Sequence, residues 1–143
     1  GLIVVEEITG PAEIVEGQEA EFRLRLTRAA GGQGDDLRAD VEATYAADPE
    51  RYALTNQVVY VSGSGTEAVF RFKPNPDDAT VEERAGGLME RILAVTITYR
   101  HGRRTVRKSR TYRFGMRLNS EQVIRRVPPH LGSILGLTPK TLR

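Results

Sequence analysis

The stretch RILAVTITYRHGRRTVRKSRTYRF, Arg91 to Phe114, decides how this chain folds. In its first half Leu93, Val95, Ile97 and Tyr99 recur at every second position. A period of two is what a strand needs when one face is buried and the other is wet. The alternation resumes after His101 and Gly102, so the two halves read as a β-hairpin. With those two residues as the turn, Arg100 pairs with Arg103, Ile97 with Val106, Val95 with Lys108 and Leu93 with Arg110. Val106, Tyr112 and Phe114 then share the apolar face with Leu93 to Tyr99. Arg103, Thr105, Arg107, Ser109, Thr111 and Arg113 line the outer face. Lys108 and Arg110 point towards the core side, where charge is costly unless long stems carry it to the sheet margin. Inward-pointing charge also stops a sheet edge from pairing with another chain, so this strand is expected at an edge.

The same alternation recurs outward from the hairpin. Ala20, Phe22, Leu24 and Leu26 face one way against Glu21, Arg23, Arg25 and Thr27. Leu37, Ala39, Val41, Ala43 and Tyr45 do so against Arg38, Asp40, Glu42 and Thr44. Leu2 to Ile8, Gln57 to Val61 and Glu67 to Lys73 are further strands. Turn clusters punctuate them: TGP at 9–11, GGQGDD at 31–36, ADPE at 47–50, SGSG at 62–65 and PNPDD at 74–78. Ala79 to Glu90 reads as a loop, because Gly86 and Gly87 interrupt VEERAGGLME. Before residue 119 no helical pattern is long enough to cross over between parallel strands. The expectation is an all-β, antiparallel sandwich of seven to eight strands.

The runs ITGPAEIVEGQEAEFRLRL, 8–26, and VVYVSGSGTEAVFRF, 58–72, resemble the strand and turn grammar of immunoglobulin-like modules in bacterial surface and secreted proteins. That resemblance implies an immunoglobulin-like β-sandwich. The tryptophan and cysteine pair of antibody domains are both missing, which directs the likeness to the broader sandwich class.

At 143 residues the chain fits one domain able to bury a real core without disulfides or metal. Residues 1–118 are expected to form the sandwich, and 119–143 a basic and apolar appendage. There is no cysteine, which excludes disulfides, thiolate chemistry and Cys-ligated zinc. No apolar run approaches the roughly 20 residues that span a bilayer, so no membrane insertion is expected. The net charge of +2 hides a division, with 9 basic and 18 acidic residues in 1–99 against 12 basic and 1 acidic in 100–143. All but Lys73, Lys108 and Lys140 of the basic residues are arginine, whose planar fork suits bidentate contact with carboxylate or phosphate.

In the appendage, Asn119 and Ser120 precede EQVIRRV as a short helix start, and Pro128 and Pro129 stop it. HLGSILGLTPKTLR, 130–143, resembles the core of a bacterial helix-turn-helix, but only Pro139 to Arg143 remain for a recognition helix. The preferred reading is a docking tail in which Ile134, Leu135, Leu137 and Leu142 pack on the sandwich or on a neighbour.

No residues converge on catalysis. His101 and His130 have no metal-ligand or triad partner, and VSGSGTE lacks the first glycine of a nucleophile elbow and reads as a turn. GGQG lacks the lysine of a phosphate loop. Asp77, Asp78, Glu82 and Glu83 offer oxygen ligands of the kind calcium takes, but solvated loop charge is commoner. No metal and no cofactor are expected. The leading expectation is a non-enzymatic structural or protein-interaction module of a larger extracytoplasmic or virion-type assembly. It would contact a protein partner, or a second copy, through the basic hairpin and the tail. The alternative is a nucleic-acid-binding protein using Arg103, Arg107 and Arg113, with an anionic glycan as a third partner class.

Overall fold

The computed structural model describes residues 2–29, 34–45 and 56–119. Among the described residues eight strands run in the order β1 (Ile3–Thr9), β2 (Glu13–Val15), β3 (Ala20–Arg28), β4 (Leu37–Tyr45), β5 (Gln57–Val61), β6 (Thr66–Phe72), β7 (Leu88–His101) and β8 (Arg104–Arg117). They form two sheets, β1-β3-β6 and β2-β8-β7-β4-β5. All pairings are antiparallel except β2 with β8, which is parallel. The chain is an immunoglobulin-like β-sandwich. The appendage from Ser120 on, including Ile134, Leu135, Leu137 and Leu142, lies outside the described residues, as do the ADPE turn and the first half of GGQGDD.

The core follows from the alternation. Ala20, Phe22, Leu24 and Leu26 of β3 are fully buried and face Ala39, Val41, Ala43, Leu93, Val95 and Ile97 of the other sheet. Burying each large apolar side chain contributes about 1.5–3 kcal/mol, which makes these inner faces the main source of cohesion. Four rings bridge the sheets at one place: Phe22 lies 4.9 Å from Phe114 and 5.4 Å from Tyr112, and Phe72 is 5.6 Å from Phe22, centre to centre.

The first strand changes sheets. After β1 the chain kinks at Gly10 and Pro11 and continues as β2 beside the end of β8. A Cβ at position 10 would come 2.4 Å from Cδ1 of Phe22, so the kink requires glycine because the core ring lies directly against it. β2 is absent from the sequence-based expectation: three residues carry too little alternation to be seen.

The loop expected at Ala79 to Glu90 is instead a helix, α1 (Val81–Gly86), followed directly by β7. Thr80 caps it: its hydroxyl accepts from the Glu83 N–H, and the Glu83 carboxylate accepts from the Thr80 N–H. This reciprocal box satisfies two otherwise orphaned donors. The glycines that suggested a loop are the helix stop, because Gly87 adopts a left-handed φ of 74° and its N–H returns to the Glu83 carbonyl. SGSG forms the expected turn, with the Gly65 N–H on the Ser62 carbonyl at 3.1 Å.

Candidate interaction surface

The β7–β8 hairpin turns one residue later than expected. His101 pairs with Arg104, leaving Gly102 and Arg103 as the loop, and Gly102 has φ of 65°. Two-residue hairpin loops need positive φ at their first position, and glycine occupies it without steric cost. Pairing therefore moves by two: Tyr99 opposite Val106, Ile97 opposite Lys108, Val95 opposite Arg110 and Leu93 opposite Tyr112. A shift of two preserves parity, so the expected faces hold, with Phe114 and Met116 buried and Arg107, Ser109, Thr111 and Arg113 exposed. Arg103 sits in the turn rather than on the outer face.

The placement separates the three arginines singled out from sequence. Arg107 stands opposite Thr98, one strand from Asp40, beside a groove that also contains Glu42 and Asn56. Arg113 stands opposite Ile92, six residues further along β8, which is roughly 20 Å at strand rise. Arg103, Arg107 and Arg113 do not form one cluster. The cluster lies at the hairpin tip, where Arg100, Arg103 and Arg104 are exposed around His101. Sequence reading missed Arg100 and Arg104 because it sought one face of a strand; four arginines in the eight positions 100–107, around a turn glycine, were the available signal.

These tip arginines, together with Arg107 and Arg113, differ in their partners from the arginines of the other sheet. On the outer face of β1-β3-β6, Arg23 bridges Glu21 and Glu67 at 2.8 Å each, Arg71 meets Glu21 at 3.3 Å and Arg25 meets Glu6 at 3.3 Å. The hydrogen bond from Arg23 to Glu67 and the charges of Glu21 and Glu67 raise the Arg23 pKa above its usual value. Arg38, Arg91, Arg110 and Arg117 also have carboxylate partners. Among the described residues, Arg100, Arg103, Arg104, Arg107 and Arg113 have neither an ion pair nor a side-chain hydrogen bond.

Lys108 and Arg110 have a different role. Both are half-buried, and the cationic ends of both are held by backbone carbonyls of β1. Lys108 Nζ donates to the Ile3 carbonyl, and Arg110 Nη2 to the Val5 carbonyl at 2.7 Å. Tyr112 Oη donates to the Gly10 carbonyl at 2.6 Å, and Tyr99 Oη accepts from the Ile3 N–H at 3.4 Å. These side chains take the place of a strand along the free side of β1, joining one sheet to the other at that edge. The expectation that β8 is an edge holds for Arg104 to Phe114, since β2 pairs only with Gly115 to Arg117. Tyr99 is buried and Tyr112 half-buried, so neither offers a stacking face.

No protein-family model matches this chain, and no curated protein does. Among solved structures it is similar to the CARDB domain of the PF1109 protein of Pyrococcus furiosus. The crystal structure of that domain in complex with di-metal ions has a TM-score of 0.55 and 13% identity, covering 82% of this chain and 94% of that one. Its solution NMR structure gives the same TM-score and identity, covering 82% and 96%. At such identity the likeness is one of fold. Among the described residues no three His, Asp or Glu side chains gather as a metal site. Glu83 is instead engaged by Thr80, Glu90 and Arg91.

Proposed function

We propose that this chain is a non-enzymatic interaction module of a larger assembly, which docks an acidic protein partner through the tip of its β7–β8 hairpin. One observation carries this reading: Arg100, Arg103 and Arg104 are exposed and unpaired, while the other sheet neutralises its arginines with its own acids. Uncompensated charge at a protruding turn steers an oppositely charged partner and fixes its orientation. Residues 1–118 form the body of this module, and 119–143, with Ile134, Leu135, Leu137 and Leu142, supply a second, apolar contact to the partner.

The nucleic-acid alternative has weaker support. A duplex or single strand wants cations spaced along its backbone, with stacking rings between them for single strands. Here Arg107 neighbours Asp40 and Glu42, Arg113 stands apart, and Tyr99 and Tyr112 face inward. A fluorescent Asp/Glu-rich peptide and an oligonucleotide of equal charge, titrated at low and physiological salt, separate the two. The peptide is expected to bind, and Arg100→Glu with Arg103→Glu and Arg104→Glu should abolish that binding with the fold intact. Tighter binding of the oligonucleotide would favour the alternative, and no binding of either would end both.

A further inference from the structure

Each sheet of an open sandwich ends in strands whose outer N–H and C=O groups can accept another chain. Three of the edges here carry protection. β1 has an irregularity between Val5 and Ile8, and Tyr99, Lys108, Arg110 and Tyr112 occupy its free side. β8 presents the inward charges of Lys108 and Arg110 and is covered at its end by β2. β6 carries Glu67 and Arg71, and its Val69 carbonyl accepts from Gln57 Nε2 at 3.2 Å.

β5 carries the least of this: one carbonyl, that of Tyr60, is capped by Thr66 Oγ1, and no bulge or charge accompanies it. Its sequence QVVYV contains no charge, proline or glycine, and three of its five residues are valine. Val58 and Tyr60 point outward at 45% and 59% exposure. Among the described residues no strand pairs on its outer side. Short, uncharged segments of high β-propensity at a sheet edge are those that add strands.

We propose that β5 is a self-association edge, along which a second copy of this chain pairs antiparallel about a two-fold axis to make one continuous sheet of ten strands. The occupant follows from the self-complementarity of the strand. Centred on Val59, the pairing sets Val58 against Tyr60 of the second copy twice over, and Gln57 against Val61. Aromatic with β-branched is a favourable cross-strand pair, and no like charges meet. A two-fold contact of this kind closes on itself as a dimer. The edge is five residues long and the Tyr60 carbonyl is already taken by Thr66 Oγ1 at 2.9 Å, so the dimer is weak and depends on concentration. The hairpin arginines play no part in it.

Sedimentation velocity of the full chain over a concentration series tests this. Two variants are compared with the wild type: Val58→Lys with Tyr60→Lys, and Val58→Glu with Tyr60→Glu. Both positions are exposed, so each variant should keep the wild-type far-ultraviolet circular dichroism. The wild type should dimerise as concentration rises, each variant alone should associate at least about tenfold more weakly, and an equimolar mixture of the two should regain dimerisation. A wild type that stays monomeric, variants that associate like it, or a mixture that fails to pair would each overturn the proposal.

Discussion

Glu83 is the residue on which one corner of the molecule turns. One carboxylate oxygen accepts from the Thr80 N–H at 2.9 Å, and the other accepts from the Glu90 N–H at 3.0 Å and from Arg91 Nη1 at 2.8 Å. Partial burial pushes its pKa up, but the donors from Thr80, Arg91 and Glu90, with the Arg91 charge, outweigh that and hold the carboxyl below its ordinary value. A depressed folded pKa contributes stability that is complete above the unfolded pKa of about 4.3 and is lost as pH falls through the folded value. Glu83→Gln should therefore cost about 1 kcal/mol at neutral pH and flatten the acid limb of the stability profile. Urea unfolding at pH 3 and pH 7 reads both effects; an unchanged acid limb would remove Glu83 as its source. The pairing of Thr80 with Glu83 is legible as a capping box in the sequence. Their contact with Arg91 is not, because it depends on how α1 leads into β7. Lys108 and Arg110 show the same division: parity alone places them inward, but their acceptors are carbonyls 105 positions away, which no side-chain pattern reveals.

At the scale of elements, the β1 edge is closed by side chains where a strand would otherwise be needed. If this closure is structural, Lys108→Met with Arg110→Met keeps the apolar stems but leaves the Ile3 and Val5 carbonyls without these donors. A buried acceptor deprived of its partner costs about 1–3 kcal/mol, and the edge would also lose the charges that repel a second chain. The double variant should unfold at lower urea and scatter more light at high concentration. Wild-type stability and scattering together would show that the contacts are incidental. The hairpin itself was legible because alternation survives a register error of two; the turn position was not, since only the backbone demand for positive φ at Gly102 decides it. α1 was missed for the opposite reason: its stop signal, Gly86 followed by Gly87, resembles a loop when the cap before it is not weighed.

For the whole molecule, the described packing of the sandwich runs through to Asn119. Met116 and Leu118 are buried, the Leu118 N–H reaches the Gly87 carbonyl at 2.7 Å, and the Asn119 N–H reaches Glu16 Oε2 at 2.9 Å. Arg117 Nε meets Glu13 at 2.8 Å, and the Glu16 N–H meets the Arg117 carbonyl at 2.8 Å, tying β2 to β8 at the point where the described chain ends. With residues 1–118 as the body proposed above, a chain truncated after Asn119 is expected to fold by itself. Truncation removes four basic residues and one acid, turning the net charge of +2 into −1; apart from Arg100, Arg103 and Arg104 the remainder carries −4, so the hairpin tip stands as a local positive feature on an acidic body. The truncated chain should unfold in one cooperative transition with Tm within a few degrees of the full chain, because a loss below about 1 kcal/mol moves a domain of this size by only that much. It should still bind the acidic peptide through Arg100, Arg103 and Arg104, while its affinity for a natural partner falls with the loss of Ile134, Leu135, Leu137 and Leu142. A drop in Tm well beyond that range would mean that the tail packs on its own sandwich, moving the boundary at 118–119 and making those four residues part of the core rather than of a contact.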